Sequence, residues 1–78
     1  MSKNITVYST PTCPYCHMAK DFFKAKGLEF TDYDVADDQV RAQEMIKKSG
    51  QMGVPVIDID GKIIVGFNRG ELEKAIAN

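Results

Sequence analysis

The sequence predicts an α/β fold in which a four-stranded mixed sheet is flanked by three helices. Alternating apolar segments are interleaved with segments of helical period, in the order strand, helix, strand, helix, strand, strand, helix (βαβ-α-ββα). The first strand–helix–strand unit requires a crossover, so its two strands should be parallel. A hairpin near the end adds antiparallel strands. The length corresponds to a single domain, residues 1–78.

The first strand and the first helix have clear periodicities. Residues 4–9 (NITVYS) alternate, with Ile5 and Val7 on one face, which indicates a strand. The period after the cysteines is helical, and the apolar face comprises Tyr15, Met18, Ala19, Phe22 and Phe23. Gly27 follows two lysines and marks the end of this helix. We expect Met18 to lie in the core with the two phenylalanines.

A second strand and a second helix follow. Residues 29–35 (EFTDYDV) alternate as a strand does. Asp37 and Asp38 stand where a helix N-terminus favours acids, so residues 38–49 (DQVRAQEMIKKS) should be helical. Because cations are favoured at the other end, we interpret Lys47-Lys48 as a solvated helix end.

The next segment has the signature of a β-hairpin. Residues 55–66 (PVIDIDGKIIVG) contain Asp60-Gly61, a dipeptide typical of a type I′ turn. A two-residue loop would place Ile59 opposite Lys62 and Ile57 opposite Ile64.

The last segment, residues 69–78, should be a helix with its own cap. Asn68 can act as the N-cap, with Glu71 three residues later as in a capping box. Phe67 before the cap and Leu72 after it have the spacing of a hydrophobic staple.

The composition excludes several classes of function. Ten basic and eleven acidic residues leave a formal net charge of -1, so the chain has no excess of positive charge with which to bind nucleic acid or an anionic membrane. No apolar run approaches the roughly 20 residues that span a bilayer. The first ten residues lack the apolar region of a signal peptide. We therefore expect a cytoplasmic protein, acting as a monomer, with no nucleic-acid or membrane partner.

The segment 12-TCPYCH-17 holds both cysteines and the one histidine of the chain. It is compatible with a redox dithiol, with half of a zinc site, or with the C-x-x-C-H sequence that attaches c-type haem. In a reducing compartment such cysteines are more often catalytic or metal-binding than structural. A zinc site usually needs four ligands. Haem would need an exported protein and would consume both thiols. Redox chemistry is therefore our prediction, and a metal or iron–sulfur cluster-binding module is the alternative.

The spacing of the cysteines predicts different roles for them. Cys13 stands where a strand ends and a helix begins, so free backbone N–H groups and the helix dipole favour its thiolate. Pro14 suits the first helical position, because it has no N–H to leave unpaired. Cys16 lies one turn deeper and should be more buried. We predict that Cys13 attacks a disulfide and that Cys16 resolves the mixed disulfide. His17 is interpreted as a surface residue.

A second signal is 53-GVPVI-57. A proline that enters an apolar strand must lie at its start or edge. A bend at Val54-Pro55 would leave the backbone N–H and C=O of Val54 free to pair with an extended substrate.

The CPYC motif after a first strand, the VP pair before a hairpin and the GF turn into a last helix together resemble the glutaredoxins, over essentially the whole chain. The resemblance implies a thioredoxin fold and a dithiol thiol–disulfide oxidoreductase with no bound cofactor. It implies that Cys13 is the nucleophile, Cys16 the resolving cysteine and Val54-Pro55 the substrate-binding cis-proline pair. The predicted substrate contacts are Pro14, Tyr15, Val54, Pro55, Gly66 and Phe67.

Two segments depart from the glutaredoxins that use glutathione. Those proteins commonly carry a basic residue just before CPYC, whereas 9-STPT-12 is uncharged. They also carry two glycines and acids before the last helix, whereas 65-VGFNRG-70 has Asn68 and Arg69 there. This run resembles redoxins that draw electrons from thioredoxin reductase and serve ribonucleotide reductase. The expected partners are disulfide-containing proteins, with either glutathione or thioredoxin reductase as reductant.

Overall fold

The computed structural model describes residues 4–77. The order of elements is the predicted one: β1 (Ile5–Ser9), α1 (Pro14–Ala25), β2 (Thr31–Asp34), α2 (Gln39–Ser49), β3 (Val56–Ile59), β4 (Lys62–Val65) and α3 (Arg69–Ala77). The predicted second strand is shortened at both ends. The predicted last helix included Asn78, which lies outside the described residues. Within residues 4–77, no helix is long and apolar enough to cross a membrane.

The four strands form one mixed sheet in the order β2-β1-β3-β4. As predicted, β1 and β2 are parallel, whereas β3 is antiparallel to both of its neighbours. Tyr8 pairs with Val56, which in turn pairs with Val65. The end of β1, the start of β3 and the end of β4 therefore lie side by side at one end of the sheet. All the predicted site residues lie on the segments that meet there.

The hairpin between β3 and β4 has the predicted register. Ile59 pairs with Lys62 across a two-residue loop. Both loop residues have positive φ, 51° for Asp60 and 94° for Gly61, as a type I′ turn requires.

Helices cover both faces of the sheet. On one face, α1 and α3 enclose the larger core, whose buried members are Ile5, Val7, Ala19, Phe22, Phe23, Ile57, Ile59, Ile64, Leu72 and Ala75. On the other face, α2 covers Tyr8 and Val56 with Met45. Successive residues of β1 thus contribute to different cores, because strand side chains alternate between the two faces.

The prediction that Met18 is a core residue is wrong. Its side chain is 47% exposed, because the sheet covers only the face of α1 that carries Cys16, Ala19, Phe22 and Phe23. Met18 lies beside that face. With Phe22 and Phe67 it lines an open groove of about 350 Å³ between α1 and the start of α3.

Lys48 is exposed, as predicted for a solvated helix end, but it also forms contacts that the sequence did not predict. Its ammonium donates to the carboxylate of Asp58 at 2.8 Å and to the hydroxyl of Tyr8 at 2.9 Å. That hydroxyl donates in turn to the carboxylate of Glu44. The bond to Asp58 is the main reason why the pKa of Lys48 is raised. Tyr8 lies on β1 and Asp58 on β3, so the local pattern of α2 did not predict these two contacts of Lys48.

Candidate active site

Cys13 is the N-cap of α1. Its backbone is extended (φ -91°, ψ 110°), and its sulfur accepts a hydrogen bond from the backbone N–H of Cys16 at 3.2 Å. The side chain therefore replaces the usual oxygen of an N-cap. The positive end of the helix dipole and an N–H donor therefore face the sulfur.

Cys16 lies one turn further along α1 and is fully buried. Cys13, by contrast, is only half-buried. Burial is the main cause that raises the pKa of Cys16 to about 12, and a hydrogen bond with Cys13 adds to it. A backbone hydrogen bond from Thr10 and the charge of Lys20 act in the opposite direction. The predicted difference in burial between the two cysteines is therefore present.

The two residues between the cysteines are exposed. Pro14 is the first residue of α1, as its missing N–H predicts. The side chain of Tyr15 is 61% exposed, so it is not part of the buried helix face on which the periodicity placed it. An exposed aromatic ring beside Cys13 is available for contact with a substrate.

The Val54–Pro55 peptide bond is cis and immediately precedes β3. Pro55 is fully buried and Val54 is half-buried. Within residues 4–77, the N–H and C=O of Val54 form no hydrogen bond with another backbone group. Because β1 and β3 are antiparallel, the backbone of Val54 lies at the same end of the sheet as the loop that carries Cys13.

Gly66 and Phe67 connect two parts of the site. The N–H of Gly66 donates to the carbonyl oxygen of Pro55 at 2.8 Å, which ties the turn after β4 to the proline. The ring of Phe67 packs edge-on against Phe22 of α1, with 6.2 Å between the centroids. The structure thus joins this turn both to the proline and to the helix that carries the cysteines.

An ion pair that sequence reasoning missed begins on α1, one turn after Cys16. The ammonium of Lys20 is 2.9 Å from one carboxylate oxygen of Asp32, and the other oxygen accepts from the hydroxyl of Ser9 at 2.6 Å. Ser9 is buried at the end of β1. One signal was available, since Lys20 is four residues after Cys16 on a predicted helix and so lies on the same side of it.

The imidazole of His17 contacts the loop before α1. Its Nε2–H donates to the carbonyl oxygen of Pro11 at 2.9 Å, in the loop before Cys13. Over residues 4–77, no three side chains of His, Cys, Asp or Glu are grouped as a metal site would require.

The chain is similar to known redox proteins. The glutaredoxin family profile matches residues 5–64. The chain is 54% identical, over 92% of its length and 96% of the relative's, to an uncharacterised glutaredoxin-like 8.6 kDa protein in the rubredoxin operon of Clostridium pasteurianum. It is 41% identical to glutaredoxin 3 of Escherichia coli K12, over 81% of this chain and 76% of that protein.

The fold agrees with these relatives. The crystal structure of a glutaredoxin from Archaeoglobus fulgidus superposes with a TM-score of 0.89, covering 97% of this chain and 88% of that one at 23% identity. The predicted thioredoxin fold is thereby confirmed. With the family profile covering most of the chain and with the identity to two relatives, the chain belongs to the glutaredoxin family.

Proposed function

We propose that this glutaredoxin-like redox protein reduces protein disulfides or glutathione mixed disulfides by dithiol exchange. The observation that carries the proposal is the asymmetry of the two thiols. Cys13 is partly exposed at a helix start, whereas Cys16 is fully buried one turn behind it.

In the first step, the thiolate of Cys13 attacks one sulfur of the substrate disulfide. A bond forms between Cys13 and that sulfur while the substrate S–S bond breaks. The departing thiolate takes a proton from water. Attack by the thiolate form is general for thiol–disulfide exchange.

In the second step, Cys16 loses its proton and its sulfur attacks the sulfur of Cys13. The Cys13–Cys16 bond forms, and the remaining substrate thiolate leaves and is protonated. Two electrons have then moved from the protein dithiol to the substrate disulfide. The 3.2 Å hydrogen bond between the N–H of Cys16 and the sulfur of Cys13 supports this step, because it shows that the two residues are adjacent.

The substrate would lie along the end of the sheet at which β3 begins. The backbone of Val54 has no backbone partner within residues 4–77, so an extended segment can pair with it as an added strand. Tyr15 would cover the disulfide from the helix side. Gly66 and Phe67 shape the far side of this surface.

A specific observation favours thioredoxin reductase over glutathione as the source of electrons. The amide oxygen of Asn68 accepts from the N–H of Glu71 at 3.2 Å and so caps α3. Arg69 pairs with Glu73 at 3.0 Å. The positions where glutathione-using relatives would carry acids thus hold an amide engaged in capping and a cation. The second candidate function is an electron carrier from thioredoxin reductase to ribonucleotide reductase.

Variants of the two cysteines test the mechanism. Cys13→Ser should abolish disulfide reduction. Cys16→Ser should still be attacked by a disulfide substrate and should accumulate the mixed disulfide, visible by mass spectrometry as a stable adduct. A Cys16→Ser variant that forms no adduct would contradict the assigned roles.

Two coupled assays separate the reductants. The oxidised protein is offered either glutathione with glutathione reductase and NADPH, or thioredoxin reductase with NADPH. Faster NADPH oxidation in the second assay supports the second candidate, and faster oxidation in the first supports glutathione. Metal analysis of freshly purified protein tests the alternative class: one metal per chain bound by both cysteines, without reductase activity, would overturn the proposal.

A further inference from the structure

Lys20 is unusually well covered for a lysine. Its side chain is 16% exposed, whereas lysines are among the residues most often left in solvent. Helical side chains lean toward the N-terminus of their helix. Cys16 and Lys20 are four residues apart on α1, so their side chains lie on the same side of the helix.

The ammonium of Lys20 is held from two strands. Asp32 of β2 accepts from it at 2.9 Å, and Ser9 of β1 holds the second oxygen of that carboxylate at 2.6 Å. A partly exposed ion pair contributes little to stability on average. The pair instead fixes a positive charge at one place beneath α1.

Lys20 is one helical turn after Cys16 on α1, so this charge lies on the same side of the helix as the buried thiol that has to ionise. The titratable groups that act on this thiol are Cys13, Lys20 and, through its bond to the ammonium, Asp32. The backbone of Thr10 adds a hydrogen bond from the loop after β1. The imidazole of His17 is engaged with Pro11 instead.

The balance of these influences changes once substrate is attached. In the mixed disulfide the sulfur of Cys13 no longer titrates, so the two effects through which Cys13 opposes ionisation of Cys16 are lost. Burial still opposes ionisation. Of the groups just named, Lys20 supplies the one full positive charge that favours the thiolate, and the carboxylate of Asp32 offsets part of that charge while holding it in place.

From this geometry we infer that Lys20, fixed by Asp32, is a positioning residue for the resolving step and promotes loss of the Cys16 proton. The inference rests on the dithiol mechanism proposed above. The thiolate formed attacks the sulfur of Cys13, the bond between Cys13 and substrate breaks, and the substrate thiolate leaves.

A single-turnover reaction with 2,2′-dithiodipyridine separates the two steps. Attack by Cys13 releases the first equivalent of thiopyridone, and closure by Cys16 releases the second. For Lys20→Met the second phase should slow about threefold to tenfold at neutral pH, and its pH profile should move upward by as much as about one unit. The first phase should be unchanged.

Three matched variants accompany this measurement. Lys20→Arg keeps the charge and should restore the second phase, while Lys20→Gln should reproduce the loss. Lys24→Met removes the same charge from an exposed position one turn further along α1 and should behave as the wild type. Thermal unfolding of each variant identifies a general folding defect.

The outcomes are distinguishable. If the second-phase pH profile of Lys20→Met coincides with that of the wild type, or if Lys24→Met shifts it equally, the inference is overturned. Equal slowing of both phases would also overturn it. Loss of the first phase in the wild type would instead contradict the proposed function.

Discussion

The backbone N–H of Gly66 donates a 2.8 Å hydrogen bond to the carbonyl oxygen of Pro55. This bond joins the turn after β4 to the proline at the start of β3, across the end of the sheet where the proposed substrate binds. Gly66 makes it with a φ of 80°, in the left-handed region that non-glycine residues rarely adopt. The shape of this end of the sheet therefore depends on a glycine at this position.

Substituting Gly66 should be costly for backbone reasons alone. A Cβ at Gly66 would meet no atom within 4 Å, so no side-chain clash contributes. Gly66→Ala should lower the free energy of unfolding by about 1–2 kcal/mol, because the left-handed conformation is unfavourable for L-residues. It should also raise the KM for a protein disulfide. Urea unfolding and steady-state kinetics measure the two effects.

Gly70→Ala is the matched control for that variant. Gly70 lies in α3, and an added Cβ would make ordinary contact with Asn68 at 3.7 Å. Alanine is the better helix former by about 0.5–1 kcal/mol, so this variant should be as stable as the wild type or more so. Equal stability of Gly66→Ala and the wild type would show that the left-handed backbone is not needed.

Tyr15 should matter for substrate and not for folding. Its ring is 61% exposed, and exposed substitutions usually change stability by no more than about 0.5 kcal/mol. Tyr15→Ala should therefore unfold like the wild type. Its kcat/KM for a protein disulfide should fall about fivefold, as the loss of roughly 1 kcal/mol of aromatic contact implies.

Val40→Ala provides the comparison for the tyrosine variant. Val40 is 75% exposed on α2, on the opposite face of the sheet from α1. It should change neither stability nor kinetics. Identical kcat/KM values for Tyr15→Ala and the wild type would remove this ring from the proposed substrate surface.

Local sequence patterns were sufficient to predict much of this structure. Helix and strand periods predicted the order of elements, since each depends on residues close in sequence. The Asp60-Gly61 turn predicted the hairpin register for the same reason. The different environments of Cys13 and Cys16 also follow from their positions within one helical turn, so sequence alone predicted which thiol is buried.

Contacts between distant segments were not predictable in this way. Lys20 reaches Asp32 on another strand, and Lys48 reaches Asp58 across the sheet face. The local pattern of each helix did not identify Asp32 or Asp58 as the partner of its lysine. Met18 shows the converse limit, because helical period identifies an apolar face but not how much of that face the sheet covers.

The polar cluster around Tyr8 predicts how stability depends on pH. The pKa of Glu44 is lowered, chiefly because its carboxylate accepts a hydrogen bond from the Tyr8 hydroxyl, with the charges of Arg41 and Lys48 assisting. A carboxyl group whose folded pKa lies below its unfolded value stabilises the fold above the unfolded pKa of about 4.3. That contribution is lost as the pH falls through the folded pKa.

Glu44→Gln should therefore flatten the pH dependence of stability on the acid side. Between about pH 6 and pH 3 the unfolding midpoint of the wild type should fall more steeply than that of the variant.

Tyr8→Phe should also flatten the pH dependence of stability. It should cost about 1–3 kcal/mol of stability at neutral pH, because Lys48 and Glu44 lose a buried partner. Glu29→Gln, at an exposed position before β2, removes the same charge and should leave the slope unchanged. Parallel curves for Glu44→Gln and the wild type would show that this cluster does not hold the carboxylate ionised.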